Sequence, residues 1–509
     1  MTDAAAEPLI SDNREFPDNA RDSEDGAEDV EVDESALVSP GLFIWGLTVC
    51  AGSLITSSTS FFALVASPLT GVLADALGRR SIILIADILF TIGALVQAFS
   101  TTVGGMIVGR SIVGAAVGSA SFVVPMYISE LAPSTFRGRL VTVSSLFITG
   151  GQVVAYIIGW LFSTQPQGWK WMVGLGALPA AVQFCMLFLL PETPRYLVKA
   201  GRKEQARRVL RSVYGNGEGM ESLVNAVLRK VEKEILEEED AAGERNGPQA
   251  AKSGWKAKMA RISDDFTQLV AFGGNRRALI IACMLQGSQQ LCGFNSLMYF
   301  SATIFRLVGF HSPTLTSLSI AITNFAFTLV AFHYIDRVGR RRILLWSIPI
   351  MIIGLILCAV AFGFIDLSGE EGASAIVGDN KSKAWPLIIL AAMVTYVAGY
   401  AIGLGNVPWQ QSELFPLSVR SLGSCLATAT NWGSNTIVGL TFLPMMEFFT
   451  PTGTFALYAL VCVACWFTIL RIYPETAGLG LEDVGGLLRS GWGVRESVRG
   501  FKERRSHRS

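Results

Sequence analysis

The stretch GVLADALGRR at residues 71–80 returns in altered form as FHYIDRVGRR at residues 332–341, and pairing these two segments decides how the chain is read. Both end in D-x-x-G-R-R, with Asp75 and Asp336 separated by 336 − 75 = 261 positions. Working outward, E-x-x-P-x-x-x-R spans Glu130–Arg137 and Glu413–Arg420, an offset of 413 − 130 = 283. P-E-T begins at Pro191 and again at Pro474, also 474 − 191 = 283 apart. Three motifs thus recur in one order, and the extra 283 − 261 = 22 residues match the size of the loop at 364–385. Self-similarity over such a distance marks a duplicated architecture. The second half repeats the first in the same orientation.

The intervals between the motifs are apolar. Of 509 residues, 51% are hydrophobic and only 16% charged, with a mean hydropathy of +0.44. About 20 consecutive apolar residues cross the hydrocarbon layer as a helix, and only a helix or a closed barrel satisfies its own backbone there. Eleven such runs lie near 53–75, 81–100, 104–124, 139–163, 171–190, 277–298, 315–334, 342–363, 386–408, 421–443 and 454–473. The expected organisation is an acidic disordered tail (1–38), an N-terminal helical bundle (39–190), a central loop (191–276), a C-terminal bundle (277–473) and a C-terminal tail (474–509). The first tail holds thirteen Asp/Glu against two Arg and has no signal-peptide pattern. The central loop is rich in Lys, Arg and Glu, and Lys203 to Glu239 reads as a surface amphipathic helix.

Basic residues of short loops fall on alternate loops: Arg79/Arg80, Arg137/Arg139, the central loop, Arg337 with Arg340 to Arg342, Arg420 and the tail after 490. The positive-inside rule assigns that face, with the C-terminus, to the cytoplasm. Asn380-Lys-Ser382 on the opposite face is a glycosylation sequon, a pattern that chance also produces. The eight cysteines, Cys50, Cys185, Cys283, Cys292, Cys358, Cys425, Cys462 and Cys465, all sit in apolar runs and read as small buried hydrophobes. A net charge of zero argues against nucleic acid, and three histidines leave little for a metal site.

Polar side chains within apolar runs carry the functional reading. Asp75, Arg79 and Arg80, and again Asp336, Arg340 and Arg341, form charged hairpins with Glu130, Arg137, Glu413 and Arg420 as partners, suited to an ionic latch between two helix arrangements. Static anchoring by positive charge explains one G-R-R, but not its recurrence with the acidic partner kept. Arg110 lies inside a span, where a guanidinium needs a cavity or a partner. Asp87 lies nearer the basic end, within reach of the preceding loop's arginines. In QGSQQLCGFNSLMYF (286–300), Gln286, Gln290, Asn295 and Tyr299 place amides and a phenol on a helix otherwise fit for lipid. Amides that donate and accept suit hydroxyl groups, and aromatics suit an apolar ring face. Helix–helix adhesion is the bland alternative, and it requires fewer polar groups. Gln152, Asn324, Tyr400, Asn406, Trp409 and Asn431 are further polar candidates, and Gly403, Gly405 and Pro408 predict a bending helix.

At these residues the chain resembles the sugar-porter branch of the major facilitator superfamily, over roughly residues 53–487. GVLADALGRR, PMYISELAPSTFRGR, PETPRYL, QQLCGFNSLMYF, DRVGRRR and PETAGLGLEDV carry the likeness. GLGNVPWQQSELFPLSVRSLGSCLATATNW is similar to fungal myo-inositol transporters, which are proton symporters. The resemblance implies ligand contact by Gln152, Gln289, Gln290, Asn295, Asn324, Trp409 and Asn431, and a proton-coupling role for Arg110. One departure stands out. The family has twelve spans, the first with a G-Y-D-type motif whose aspartate faces the arginine matched by Arg110. Here residues 41–52 run straight into SLITSSTS, with no aspartate and too few residues to cross. The proton-exchanging aspartate that the resemblance implies has no counterpart in these residues.

The expected fold is therefore all-α: a polytopic membrane protein of two six-helix-type bundles related by a pseudo-twofold, with an incomplete first helix and about 11 full spans. The expected function is secondary transport, by alternating access, of a sugar or cyclitol, with inositols, hexoses and pentoses all open from side-chain chemistry. The partners are the solute, protons and lipid; no cofactor, metal or nucleic acid is expected, and the chain reads as a plasma-membrane monomer. A non-transporting nutrient sensor is the alternative of a different class. An enzyme would need a nucleophile, base or metal cluster in the cavity, and direct ATP drive a phosphate-binding G-x-x-x-x-G-K-[ST] that the central loop lacks.

Overall fold

A computed structural model describes the backbone of residues 40–506 apart from 216, 218–219, 247–262, 265, 366–383, 417–418, 478 and 480. Side chains of 40–50, 134–139, 141–142, 237–246, 336, 409–410, 412, 481–482 and 504–506 also fall outside the described set. The chain divides into two units, Met1–Leu47 and Thr48–Ser509. The acidic tail expected at 1–38 and the sequon at Asn380 lie outside the described residues.

Among the described residues the regular structure is helical, and each of the eleven apolar runs falls on helix. The first part of the chain holds α1 (Pro40–Leu77), α2 (Arg79–Phe99), α3 (Val103–Leu131), α4 (Ser134–Phe162), α5 (Gly168–Leu175) and α6 (Ala177–Leu187). Three helices follow in the central segment: α7 (Pro194–Lys199), α8 (Lys203–Tyr214) and α9 (Met220–Asn246). Beyond them come α10 (Gly273–Leu291), α11 (Phe294–Leu307), α12 (Pro313–Val338), α13 (Arg340–Gly363) and α14 (Ala384–Ile402). A 3-10 turn at Val407–Glu413, α15 (Arg420–Phe448), α16 (Thr450–Ile472), α17 (Leu481–Ser490) and α18 (Val494–Ser506) complete the order. Nine of the described helices are long and apolar enough to cross a membrane. The α10–α11 pair and α15 are more polar, because they carry the amides. Residues 41–52 open α1, a single helix of 38 residues, and form no separate span or outer loop.

Close packing follows the small residues, as expected where lipid offers no hydrophobic drive between helices. A methyl at Gly93 of α2 would lie 2.9 Å from the Val113 nitrogen of α3, and one at Gly354 of α13 would lie 2.7 Å from the Tyr396 nitrogen of α14. Gly354 stands 354 − 93 = 261 residues after Gly93, the offset of the D-x-x-G-R-R repeat. Internal duplication thus extends from motifs to packing. Phe99, Phe147, Leu189, Trp346 and Phe448 are largely exposed, an arrangement costly in water and suited to hydrocarbon.

Over the stretch Lys203 to Glu239, read as surface amphipathic helix, lie two helices, α8 and α9, parted at Gly215 in a left-handed backbone conformation (φ 92°). They fold back so that Leu197, Val198, Ala206 and Ile235 bury a small core of their own. In the C-terminal segment 474–509, Arg277 donates to the carbonyls of Leu488 and Arg489 of α17, and Ser497 of α18 accepts from the Glu475 amide at 3.0 Å. Of the cysteines expected to be buried, Cys292, Cys358, Cys425, Cys462 and Cys465 are so, Cys283 is partly buried and Cys185 is exposed; the Cys50 side chain is outside the described set.

Candidate solute site and charged hairpins

The site begins at a helix break. α10 ends at Leu291 and α11 starts at Phe294, with Gly293 between them at φ 87°. Side chains other than glycine are strained in that region. A methyl there would also meet the Tyr458 ring of α16 at 2.7 Å. The backbone groups freed by the break find partners: Tyr396 of α14 donates its hydroxyl to the Cys292 carbonyl at 2.9 Å, and Gly293 N–H bonds the Gln290 carbonyl. Phe294 stacks on Tyr400, ring centroids 3.6 Å apart.

A second break lies opposite. α14 unwinds after Ile402, and Gln289 of α10 donates to the loosened carbonyls of Leu404 and Gly405, each at 3.0 Å. Gln286 donates to the Pro408 carbonyl (3.1 Å) and to Gln411 Oε1 (2.9 Å), and Gln411 donates to Thr428 Oγ1 (3.1 Å). Asn431 of α15 is the hub. Its Nδ2 donates to Gln286 Oε1 (2.6 Å) and Gln289 Oε1 (2.8 Å), while its Oδ1 accepts from Gln290 Nε2 at 3.0 Å. Asn295 Nδ2 in turn donates to Gln290 Oε1. Gln286, Gln289, Gln290 and Asn431 are each 5% exposed or less, so the amides here bond one another instead of facing open water. Asn406 donates to the Ala401 carbonyl and serves the unwound segment.

Gln152 of α4 and Asn324 of α12 form a separate pair at 2.9 Å that bridges the first and second parts of the chain. Other bridges of this kind are Tyr156 OH to the Met298 carbonyl (2.6 Å) and Trp432 Nε1 to Ser121 Oγ (3.1 Å). Arg110 of α3 reaches the Ile55 carbonyl at 3.5 Å; its Nε is buried without a partner, and among the described residues it has no carboxylate. The Trp409 side chain lies outside the described set.

Two hairpins at the opposite ends of α2 and α13 from Phe99 and Gly363 repeat each other closely. Gly78 (φ 90°) and Gly339 (φ 98°) turn the chain, and a carboxylate caps the next helix in each case. Glu192 accepts from the amides of Arg79 (3.0 Å) and Arg80 (3.1 Å), and Glu475 from those of Arg340 (2.9 Å) and Arg341 (3.1 Å). A carboxylate at a helix N-terminus meets free N–H groups and the positive end of the dipole. Arg79 pairs with Asp75 and Glu130, both at 3.0 Å, and Arg340 pairs with Glu413. Arg80 and Arg341 make no such pair among the described contacts. Arg80 donates to the carbonyls of Leu187 and Phe188, Arg341 to those of Ile469, Leu470 and Tyr473, so each ties down the end of another helix. Arg420 donates to the Phe415 carbonyl at 3.4 Å, and the side chains of Arg137 and Asp336 are outside the described set.

The sequence points to neither capping carboxylate: in it Glu192 and Glu475 are only marks of the repeat. Their signal was present, the glutamate of the P-E-T that follows each G-R-R, at 192 − 80 = 112 and 475 − 341 = 134 residues, but its meaning depends on the two segments meeting in space. Gln411 and Tyr396 are likewise silent in the sequence, since only the helix breaks give them partners.

Comparisons with known proteins agree with this geometry. The family model described as sugar (and other) transporter matches residues 4–487. Myo-inositol transporter 1 of Candida albicans is 43% identical over 477 residues, covering 93% of this chain and 82% of the relative. Myo-inositol transporter 2 of Schizosaccharomyces pombe is 42% identical, with 89% and 77% covered. Among solved structures, the proton:xylose symporter XylE bound to 6-bromo-6-deoxy-D-glucose superposes with a TM-score of 0.69 at 24% identity, covering 87% of this chain and 90% of that one. A double-tryptophan variant of XylE gives 0.66 at 26% identity, with 90% and 91% covered. The fold is that of the major facilitator superfamily, and the chain, a multi-pass membrane protein and not an enzyme, belongs to the sugar transporter family.

Proposed function

We propose that this carrier of sugars or cyclitols moves myo-inositol together with protons. The observation that carries the solute assignment is the amide cluster around Asn431, where Gln286, Gln289, Gln290 and Asn295 converge between two helix breaks. Each amide both donates and accepts, so hydroxyls of a cyclitol exchange for amide–amide bonds without leaving a buried group unmet. Phe294 and Tyr400 stack on each other at the first break. The identity of the solute and the use of protons follow the similar proteins: the curated relatives are myo-inositol transporters, and XylE is named a proton symporter.

Alternating access would use the breaks. α11 is a short helix hinged at Gly293, and it meets α4 through Tyr156 and Met298. A solute bound more tightly with α11 drawn in than swung out shifts the population toward the closed arrangement. The paired hairpins with Asp75, Arg79, Glu130, Arg340 and Glu413 would latch the other end, and Gln152 with Asn324 would complete the solute contacts. By the distribution of Lys and Arg, the hairpin end faces the cytoplasm, with the C-terminus, in a plasma-membrane monomer. The test is saturable uptake of labelled myo-inositol in cells lacking their own carrier. Gln290→Ala should abolish it at unchanged membrane abundance. Unchanged uptake would remove the cluster from the solute path.

A further inference from the structure

One buried titratable group has no part in the site above. Asp87 lies on α2, 87 − 79 = 8 residues in from Arg79, about 12 Å along the helix axis. Its side chain is 7% exposed, and its Oδ2 is buried without a hydrogen-bond partner. It belongs to the buried stripe of α2 that includes Ile83, Ala86, Gly93, Ala94 and Gln97, and α2 packs on α3, α5 and α6. The titratable groups of those helices are Arg110, Tyr127 and Glu130 on α3, Lys170 on α5 and Cys185 on α6, with Arg79 and Arg80 on α2 itself. Arg79 is taken by Asp75 and Glu130, and Arg80 by the carbonyls of Leu187 and Phe188. Among the described residues none forms an ion pair with Asp87.

Nor does the register bring Arg110 to it. Gly93 packs against Gly109 and Val113, so six residues toward the hairpin end Asp87 stands level with residues 115–119. That places it about 10 Å along the seam from Arg110. Asp87 is also the carboxylate that, among the described residues, is buried within a span. An ionised carboxylate in such a place, with no ion-pair partner among the described residues and one oxygen buried without a donor, is far costlier than a neutral acid.

We propose that Asp87 holds a proton in this conformation and is the proton-coupling carboxyl of the carrier. The proposal rests on the proton-driven reading above and names its group. When the hairpins part and water reaches the α2–α3 seam, the O–H bond of the acid breaks, the proton passes to water and the carboxylate is left hydrated. Re-closure requires that a proton be taken up again.

The test uses the full-length protein in liposomes, with Asp87→Asn as a neutral substitute of similar shape and Asp87→Glu as a titratable one. Infrared difference spectra at neutral pH should show a protonated carboxylic-acid band in the wild type that Asp87→Asn lacks and Asp87→Glu restores. An inward proton gradient should make the wild type accumulate labelled myo-inositol, and Asp87→Asn should lower that accumulation about tenfold. Exchange of solute without a gradient, which uses the amides, should continue in Asp87→Asn. A wild type without the acid band, or an Asp87→Asn protein that accumulates as well as the wild type, overturns the proposal. If the wild type exchanges solute but ignores the gradient, the proton-driven reading itself fails, and the proposed coupling role with it.

Discussion

Replacing Asn431 with alanine removes the hub of the amide cluster. Gln290 Nε2 loses its acceptor, and Gln286 Oε1 and Gln289 Oε1 each lose a donor. A buried polar group left unmet costs about 1–3 kcal/mol, which would give about 3–9 kcal/mol for three groups held rigid. Interhelical hydrogen bonds inside membrane proteins average nearer 0.6 kcal/mol in measured cycles, because the groups find other partners. Three such bonds come to about 2 kcal/mol, and we take this as the expected loss. Spread over solute binding, it weakens Kd about thirtyfold. Titration calorimetry of the purified protein with myo-inositol measures that change, and thermal melting with and without solute reports what falls on the fold. Asn431→Asp keeps the acceptor for Gln290 but presents a charge to two carbonyl oxygens, so it should be worse than alanine. An Asn431→Ala protein with wild-type Kd and melting temperature would refute the view that these amides act as one unit.

Two further substitutions probe the hinge and the hairpins. Gly293→Ala sets a methyl 2.7 Å from the Tyr458 ring on a left-handed backbone, and should cut uptake at least about tenfold at equal surface abundance; wild-type rates would show that the break needs no glycine. Glu475→Gln removes the charge from hydrogen bonds to the amides of Arg340 and Arg341, and Glu192→Gln does the same at Arg79 and Arg80. Each should cost about 1.5–3 kcal/mol and lower the melting temperature, and melting curves unmoved in both would deny the caps a stabilising role.

The hairpins show how far one-dimensional pattern carries. D-x-x-G-R-R and P-E-T were visible as repeats, and the glycines and arginines could be placed at helix junctions. That Glu192 caps the helix opened by Arg79, 113 positions away, could not be, because nothing local ties the two segments together. Arg80 and Arg341 illustrate the converse. Their charge suggested ion pairs, yet their guanidinium groups serve carbonyls at the ends of other helices, whose direction only packing fixes.

What the sequence determined by itself is the class of solvent and the duplication. Runs of about 20 apolar residues must be helices in a bilayer, because no water is there to satisfy the backbone, and offsets of 261 and 283 make one half repeat the other. The polar candidates on α10 were legible too, since an amide in lipid is costly enough to need a reason. Tertiary structure alone decided which of them meet. Gln286, Gln289 and Gln290 are drawn to one side chain, Asn431, more than 140 positions away, and Gln411 joins them only because α14 unwinds. Hydrogen bonds are short and directional, so partners are chosen by where helices cross and break, and no spacing along the chain encodes that.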